Sequence, residues 1–461
     1  MAKQMMQDKA SEMAATQTVP TGYQQTEVGV IPEDWDIKEL QQICRVPITY
    51  GIVQCGPHIV NGIPYIRVSD MTARELDIDG MQRTSPQIAA AFARSTVDEG
   101  DIVYALRGKL GFVRSVPSSV AGANLTQGTA RISPVSNVFG RYVFWALQSP
   151  RSLEQATQGA KGSTFVEITL ASLKEIKIPV PRHKEEQKVI ADALSDIDEL
   201  IAGLEQLITK KQAIKTATMQ QLLTGRTRLP QFALRSDGTP KGYKSSELGK
   251  IPEDWEIMPL VSIGRTIRGV SYNPNNDLYI SDSSDSIRLF RSNNILNSRL
   301  VFSGLQYVSK NRVSESQKMQ LGDILICMAN GSKSLVGKSA IHDLNDGYEY
   351  TFGAFMGVFR LNDASQSKYV YYLMNSARYR CYIDLILAGS SINNLKPSDI
   401  DKLSLAFPDI EEQTAIAAML SDMDSELAAL EQKLAKARDV KQGMMQQLLT
   451  GRIRLPLSKE A

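Results

Sequence analysis

Apolar residues in the stretch 190–208 recur at Ile190, Leu194, Ile197, Ile201, Leu204 and Ile208, stepping by four and three alternately. That 3.5-residue period predicts a long helix with one apolar seam, as in a coiled coil. The same phase returns at Ile416, Leu420, Met423, Leu427, Leu430 and Leu434. Lys215 and Lys441 fall on a seam position in both stretches and are expected to loosen the packing there before Leu222 and Leu448 resume it. Asp409 with Glu412 fits a capping box at the start of the second helix, where the first has His183. Gly225 and Gly451 are natural stops just past the helix ends. About forty residues at ~1.5 Å each make a rod of roughly 60 Å, whose stripe needs a partner. The copy is the obvious one, in parallel or antiparallel pairing; the alternative is that each helix packs only on its own globular domain.

The remaining segments, about 41 to 180 and 261 to 408, show short β-rich runs such as DIVYAL, GTARISP, DILICMA and GAFMGVFRL between Gly, Asn and Ser turns. Each also carries a helical stretch, RYVFWALQSPRSLEQAT and KYVYYLMNSARYRCYIDLIL. The expected class is α/β, with two mixed domains in tandem, each followed by a long helix, the helices pairing as a coiled coil with pseudo-twofold symmetry.

Self-comparison decides this architecture. MQQLLTGRTRLP at 219–230 returns as MQQLLTGRIRLP at 445–456, and GYQQTEVGVIPEDWDIKEL at 22–40 matches GYKSSELGKIPEDWEIMPL at 242–260 in eleven of nineteen positions. Between them EGDIVYALRG faces LGDILICMANG, and IPYIRVSDM faces IRLFRSNNI. The offset between halves is 220 at Trp35/Trp255, 222 at Asp101/Asp323 and 226 at Glu186/Glu412, then stays at 226 to the helix ends. The helices are gapless and the globular parts are not. The divisions are a polar tail (1–20), a first domain (21–180), a helix (181–225), a linker (226–241), a second domain (242–408), a second helix (409–452) and a short tail (453–461).

The 461 residues exceed one core, and 52 Lys plus Arg against 50 Asp plus Glu leave a net +2, so any basic surface is local. Cys44, Cys55, Cys327 and Cys381 lie singly and are expected to be small buried hydrophobes in a reducing cytosol. No apolar run approaches a membrane span, and the first residues lack a signal-peptide core, so a cytoplasmic protein with no membrane association is expected.

Catalytic constellations fail on spacing. GSKSLVGKS at 331–339 separates its glycines by five residues rather than the four of a phosphate loop. His58, His183 and His342 are scattered, Glu175-Ile176-Lys177 lacks an upstream Asp at nuclease spacing, and SYNPNNDLY has Asn275 where a base-holding motif needs Pro. The chain is therefore expected to be no enzyme.

GYKSSELGKIPEDW, EGDIVYALRG, IPVPRHKEEQKVIADALSDIDELI with its echo LAFPDIEEQTAIAAMLSDMDSEL, and the doubled QQLLTGR resemble the specificity subunit of type I restriction-modification systems. The resemblance runs from Thr21 onward, with His183 as a departure. It implies two target-recognition domains, here called reader 1 and reader 2, each reading half of a split asymmetric site in double-stranded DNA. It also implies docking of two modification subunits and of restriction subunits. S-adenosylmethionine belongs on the modification subunit, with no cofactor on this chain. Helices of fixed length then act as a ruler, while loops in the readers are free to change preference.

Three loop sets are candidate DNA contacts. Arg107, Lys109 and Arg114 follow DIVYAL, and Asn330, Ser332, Lys333 and Lys338 follow its counterpart. Lys161, Ser163 and Thr164 correspond to Ser390, Ser391, Asn393 and Asn394. Arg67 and Arg291 align after a β run. Arg pairs bidentately with guanine and Asn with adenine, while Lys and Ser mostly hold phosphates; for each residue alone a solvated turn is the competing account. Two other classes remain open. A self-sufficient methyltransferase or nuclease would bind S-adenosylmethionine or cut DNA as the purified chain, and a coiled-coil protein scaffold would give a complex without DNA sequence preference.

Overall fold

The computed structural model describes residues 19–108, 110–161, 167–389 and 393–457. They form two compact units, one from the residues up to Glu205 together with those from Gln432 onward, the other from Gln206–Glu431. Each unit holds one reader and a part of both long helices, Lys184–Leu222 and Ile410–Leu448.

In the first unit a three-stranded sheet has Ile102–Ala105 at its centre, flanked antiparallel by Val113–Ser115 and Thr129–Ile132. The central strand is buried on both faces, which is why it reads as an unbroken apolar run. A second sheet places Ile63–Ile66 between Arg83–Thr84 and Asn124–Leu125. The strand Lys177–Pro181, leading into the first long helix, pairs with Trp35–Glu39. The helices Gly140–Leu147 and Pro150–Gln158 complete the reader.

The second unit repeats this plan with more strand. Ile324–Cys327 lies between Met356–Leu361 and Ser339–Ile341, with Gly264–Arg268 at the edge. Ser286–Phe290 lies between Gln306–Ser309 and Tyr350–Phe352, and Glu256–Pro259 pairs with Ser404–Phe407. A buried aspartate opens each central strand: Asp101 accepts from Arg131 Nε at 2.6 Å, and Asp323 from Arg360 Nε at 2.8 Å. The Asp in EGDIV and LGDIL therefore pairs with a largely buried guanidinium just before the central strand begins.

The repeated phrases meet inside each unit. In the second, Arg228, just past the end of the first long helix, hydrogen-bonds Glu412 in the first turn of the second helix and Asp254 of IPEDW. Trp255 Nε1 donates to the same Glu412 at 3.2 Å. In the first unit Arg454 bonds both oxygens of Glu186 at 2.8 and 2.7 Å and Asp34 at 3.0 Å. Gly225 and Gly451 have φ of +68° and +67°, the left-handed conformation that ends a helix. A Cβ on Gly225 would lie 2.4 Å from Pro252, and one on Gly451 2.4 Å from Pro32, so a side chain is excluded by space as well as by backbone.

Within the second unit Lys211 pairs with Glu426 and Lys215 with Asp424, and Arg228 reaches Glu412. Contacts that rise along one helix and fall along the other make this pairing antiparallel. In the first unit Glu205–Arg438 and Asp198–Lys441 show the same order. The seam lysines thus do more than the loosening expected of them. Lys215 Nζ lies 2.5 Å from Asp424, whose other oxygen accepts from the Tyr372 hydroxyl at 2.7 Å. Lys441 Nζ lies 2.5 Å from Asp198 and 4.7 Å from the Trp145 ring centroid, and Arg74 reaches the same Asp198. Each reader meets the helix pair at such a lysine–aspartate pair, beside further contacts such as Trp145 to Ser195 and Arg299 to Glu431. The cysteines also depart from expectation: Cys327 is buried, Cys44 and Cys55 are half-buried, and Cys381 is exposed on the polar side of its helix.

The two arginine clamps differ in burial. Arg228 and Glu412 keep 5% and 1% of side-chain exposure, whereas Arg454 keeps 40%. Glu412→Gln is expected to cost about 3 kcal/mol, because it removes a buried charge partner and leaves the desolvated Arg228 guanidinium with Asp254 alone. Glu186→Gln is expected to cost less, about 1 kcal/mol, because the Arg454 guanidinium stays partly hydrated although Glu186 itself is buried; urea unfolding of the two variants checks the order. Burial pushes the Asp254 carboxyl up, but hydrogen bonds from Arg228 and Lys241 outweigh it and hold it below the usual carboxylate range. A depressed carboxyl adds stability above its unfolded pKa of about 4 and loses it as pH falls through the lower folded value. Asp254→Asn is therefore expected to lower the melting temperature at neutral pH and to converge with the parent protein as the pH falls through the depressed folded pKa of Asp254, as melting curves across pH will show.

Candidate nucleic-acid interface

Three non-repeated segments converge on one edge of each reader. In reader 1 the chain leaves Ile102–Ala105 and Leu106 N donates to Gly128 O at 2.9 Å, while Ile168 N donates to Leu106 O at 2.9 Å. Arg107 is then bridged by backbone to Glu167. Reader 2 repeats the frame: Met328 N donates to Phe355 O at 2.9 Å, Leu395 N to Met328 O at 2.7 Å, and Ala329 bridges Asn394. The turns that follow the strands Ile63–Ile66 and Ser286–Phe290, opened by Arg67 and Arg291, lie alongside. In reader 1 Val68 and Arg107 both crowd the space a Cβ on Gly128 would need. In reader 2 Asn330 Nδ2 donates to Ser292 Oγ at 3.2 Å.

Several expected contact residues are therefore neighbours. Arg107 is exposed, at the centre of the reader 1 edge. Asn330 N donates to Asn393 O at 3.3 Å, Asn393 Nδ2 donates to Gly331 O at 3.1 Å, and Asn330 Oδ1 accepts from Ser332 N at 3.0 Å. Ser332, Lys333 and Asn394 are exposed beside them. The asparagine amides are fixed by the loops they tie together.

Other expected residues are placed differently. Lys338 Nζ turns inward to the carbonyls of Ser292 and Ile295, the latter at 2.9 Å, and burial pulls its pKa down. Arg114 donates to Ala73 O at 2.6 Å and lies over the Phe112 ring, on the side where Arg74 meets the long helix, away from the loop edge. Arg67 is held by Asp70 through Nε at 3.0 Å and a terminal nitrogen at 2.7 Å. Arg291 has Asn294 in that position, so its guanidinium faces no carboxylate there, and its buried Nε has no hydrogen-bond partner among the described residues. Lys109, Ser163, Thr164, Ser390 and Ser391 lie outside the described residues, as does the side chain of Lys161, whose backbone forms the short strand Ala160–Lys161.

Three residues of this edge were not singled out by sequence. Arg268 donates to Asn394 Oδ1 at 2.9 Å and Leu395 O at 2.8 Å, Ser292 accepts from Asn330, and Phe355 projects with 71% exposure. Phe355 was hidden inside the β-rich run GAFMGVFRL, where a strand assignment absorbs it, and Arg268 ends a strand, Gly264–Arg268, that carried no distinct signal. The signal for Phe355 was the GAF turn itself, an aromatic residue two positions beyond a glycine where the strand breaks.

The family described as "Type I restriction modification DNA specificity domain" matches this chain twice, at residues 32–216 and 252–437. The EcoKI specificity subunit of Escherichia coli K12 is 40% identical over 189 residues, which is 40% of this chain and 40% of that relative, so this match spans less than half of its length. The putative MjaX specificity subunit of Methanocaldococcus jannaschii is 23% identical over 94% of this chain and 97% of its own. Among solved structures, an S subunit from M. genitalium superposes with a TM-score of 0.55 at 14% identity, over 94% of this chain and 98% of that one. A chain from work on complex assembly and conformational transition of the type I R-M system gives 0.56 at 17% identity, over 92% and 99%. These two likenesses concern the fold. With the family's domain found in both halves, the chain belongs to the type I restriction-modification specificity family.

Proposed function

We propose that this chain is the non-catalytic DNA-recognition subunit of a type I restriction-modification complex, and that its two readers each recognise one half of a bipartite, asymmetric site in double-stranded DNA. One observation carries the reading. In each unit the repeated phrases build the support, and the segments that differ between halves converge on one exposed edge of the reader. A protein that needs two different sequence preferences on one scaffold is expected to divide its residues in that way.

The two long helices pair along their seams as an antiparallel coiled coil, a reading supported by the lysine–aspartate pairs in each unit. Two modification subunits and the restriction subunits dock on this chain, S-adenosylmethionine sits on the modification subunit, and the chain itself carries no cofactor. The cytoplasm, where the host DNA lies, is the proposed location; no helix among the described residues is long and apolar enough to cross a membrane.

Replacing residues 41–180 by the corresponding segment of another family member is the test. Mapping methylated bases with the assembled complex is expected to show one half of the site changed and the other kept. A site unchanged in both halves would refute the assignment of the readers.

A further inference from the structure

The shared frame allows the readers to be compared place by place. Leu106 corresponds to Met328, because each donates its N–H to the residue opening the next strand and accepts from Ile168 or Leu395. The register agrees, since Tyr104 faces Ala130 and Ile326 faces Gly357. It follows that Arg107 corresponds to Ala329, Gly128 to Phe355 and Glu167 to Asn394.

At this place the two readers make opposite choices. Reader 1 has an exposed arginine beside a glycine, and a Cβ on Gly128 would lie 2.7 Å from Arg107 Nε and 3.3 Å from its Cζ. The guanidinium fills the space a side chain at 128 would occupy. Reader 2 has Ala329 where the arginine stood, and the phenyl ring of Phe355 rises with 71% exposure from the turn just before the strand Met356–Leu361. An exposed phenylalanine at a turn, whose carbonyl accepts from Met328 N and Ala329 N, buries little in its own domain's core and is costly to leave in water.

We propose that Arg107 and Phe355 are the specificity-determining residues of this shared place, Arg107 selecting a guanine in one half-site and Phe355 a thymine in the other. This rests on the DNA-reading function proposed above. A guanidinium fork donates two hydrogen bonds to guanine O6 and N7 in the major groove. A phenyl ring offers neither donor nor acceptor, and the base feature it complements there is the thymine C5-methyl group. The glycine in reader 1 and the alanine in reader 2 are the small residues that make room for the opposite choice.

The test uses the complex assembled with its modification subunits, a duplex library randomised over the site, and methylation as readout. Arg107→Ala is expected to relax one guanine position of the first half-site by about tenfold to a hundredfold, and Phe355→Ala to relax one A·T position of the second half-site. Each variant is expected to leave the other half-site as it was, which shows that the protein is folded and assembled. The exchanged pair R107A with G128F is expected to turn the guanine preference towards thymine, and A329R with F355G to do the reverse. Unchanged base preference in these variants overturns the inference while the parent complex still reads its bipartite site. Uniform weakening of a half-site at all positions, as a wedge between base steps would give, also overturns it. If the parent complex itself shows no sequence preference, it is the functional reading that fails.

Discussion

A single contact, made once in each unit, holds the repeated parts of this chain together. An arginine just past the end of one long helix hydrogen-bonds a glutamate in the first turn of the other helix and an aspartate of IPEDW, as Arg228 does with Glu412 and Asp254, and Arg454 with Glu186 and Asp34. The glutamate also lies in the first turn of a helix, where the backbone dipole favours negative charge. Around this contact Gly225 or Gly451 lets the helix end lie directly against the proline and tryptophan of IPEDW. Helix end, helix start and IPEDW are the phrases written twice, because each is one side of the same junction. From Glu186 to Arg228 and from Glu412 to Arg454 the separation is 42 residues in both helices. An insertion would carry one end out of its clamp, which accounts for the gapless helices.

Much of the architecture was legible because the chain repeats itself. The seam period gave both helices, Asp409 does accept from Glu412 N at 2.8 Å as a capping residue should, and the apolar runs DIVYAL and DILICMA are the central strands. Less legible were the roles of charged side chains, since sequence does not say where a long flexible side chain turns. Lys215 and Lys441 looked like interruptions of a seam and instead meet Asp424 and Asp198 under an aromatic ring. Lys338 looked like a phosphate contact and satisfies two main-chain carbonyls. Arg67 and Arg291 align perfectly in sequence, yet the residue three positions on, Asp70 in one and Asn294 in the other, gives them different surroundings. Phe355 was taken for a strand residue because an apolar side chain in an apolar run carries no sign of which way it points.

The readers thus separate two demands that conflict within a single surface. Stability requires fixed main-chain contacts, and these recur almost atom for atom between Leu106 and Met328. The proposed recognition requires different side chains, and the residues next to those contacts do differ, Arg107, Gly128 and Glu167 against Ala329, Phe355 and Asn394. Substituents on a common frame can change without disturbing the core, because the groups that change are exposed and the groups that hold are backbone.

The central claim is that this chain supplies sequence choice to partners that supply chemistry. Sequencing methylated bases in the DNA of cells that carry the modification subunits, with this chain present or deleted, addresses it most directly. The account predicts one split, asymmetric methylated sequence in the presence of the chain and its complete loss on deletion. The same methylated sequence in both strains would contradict it.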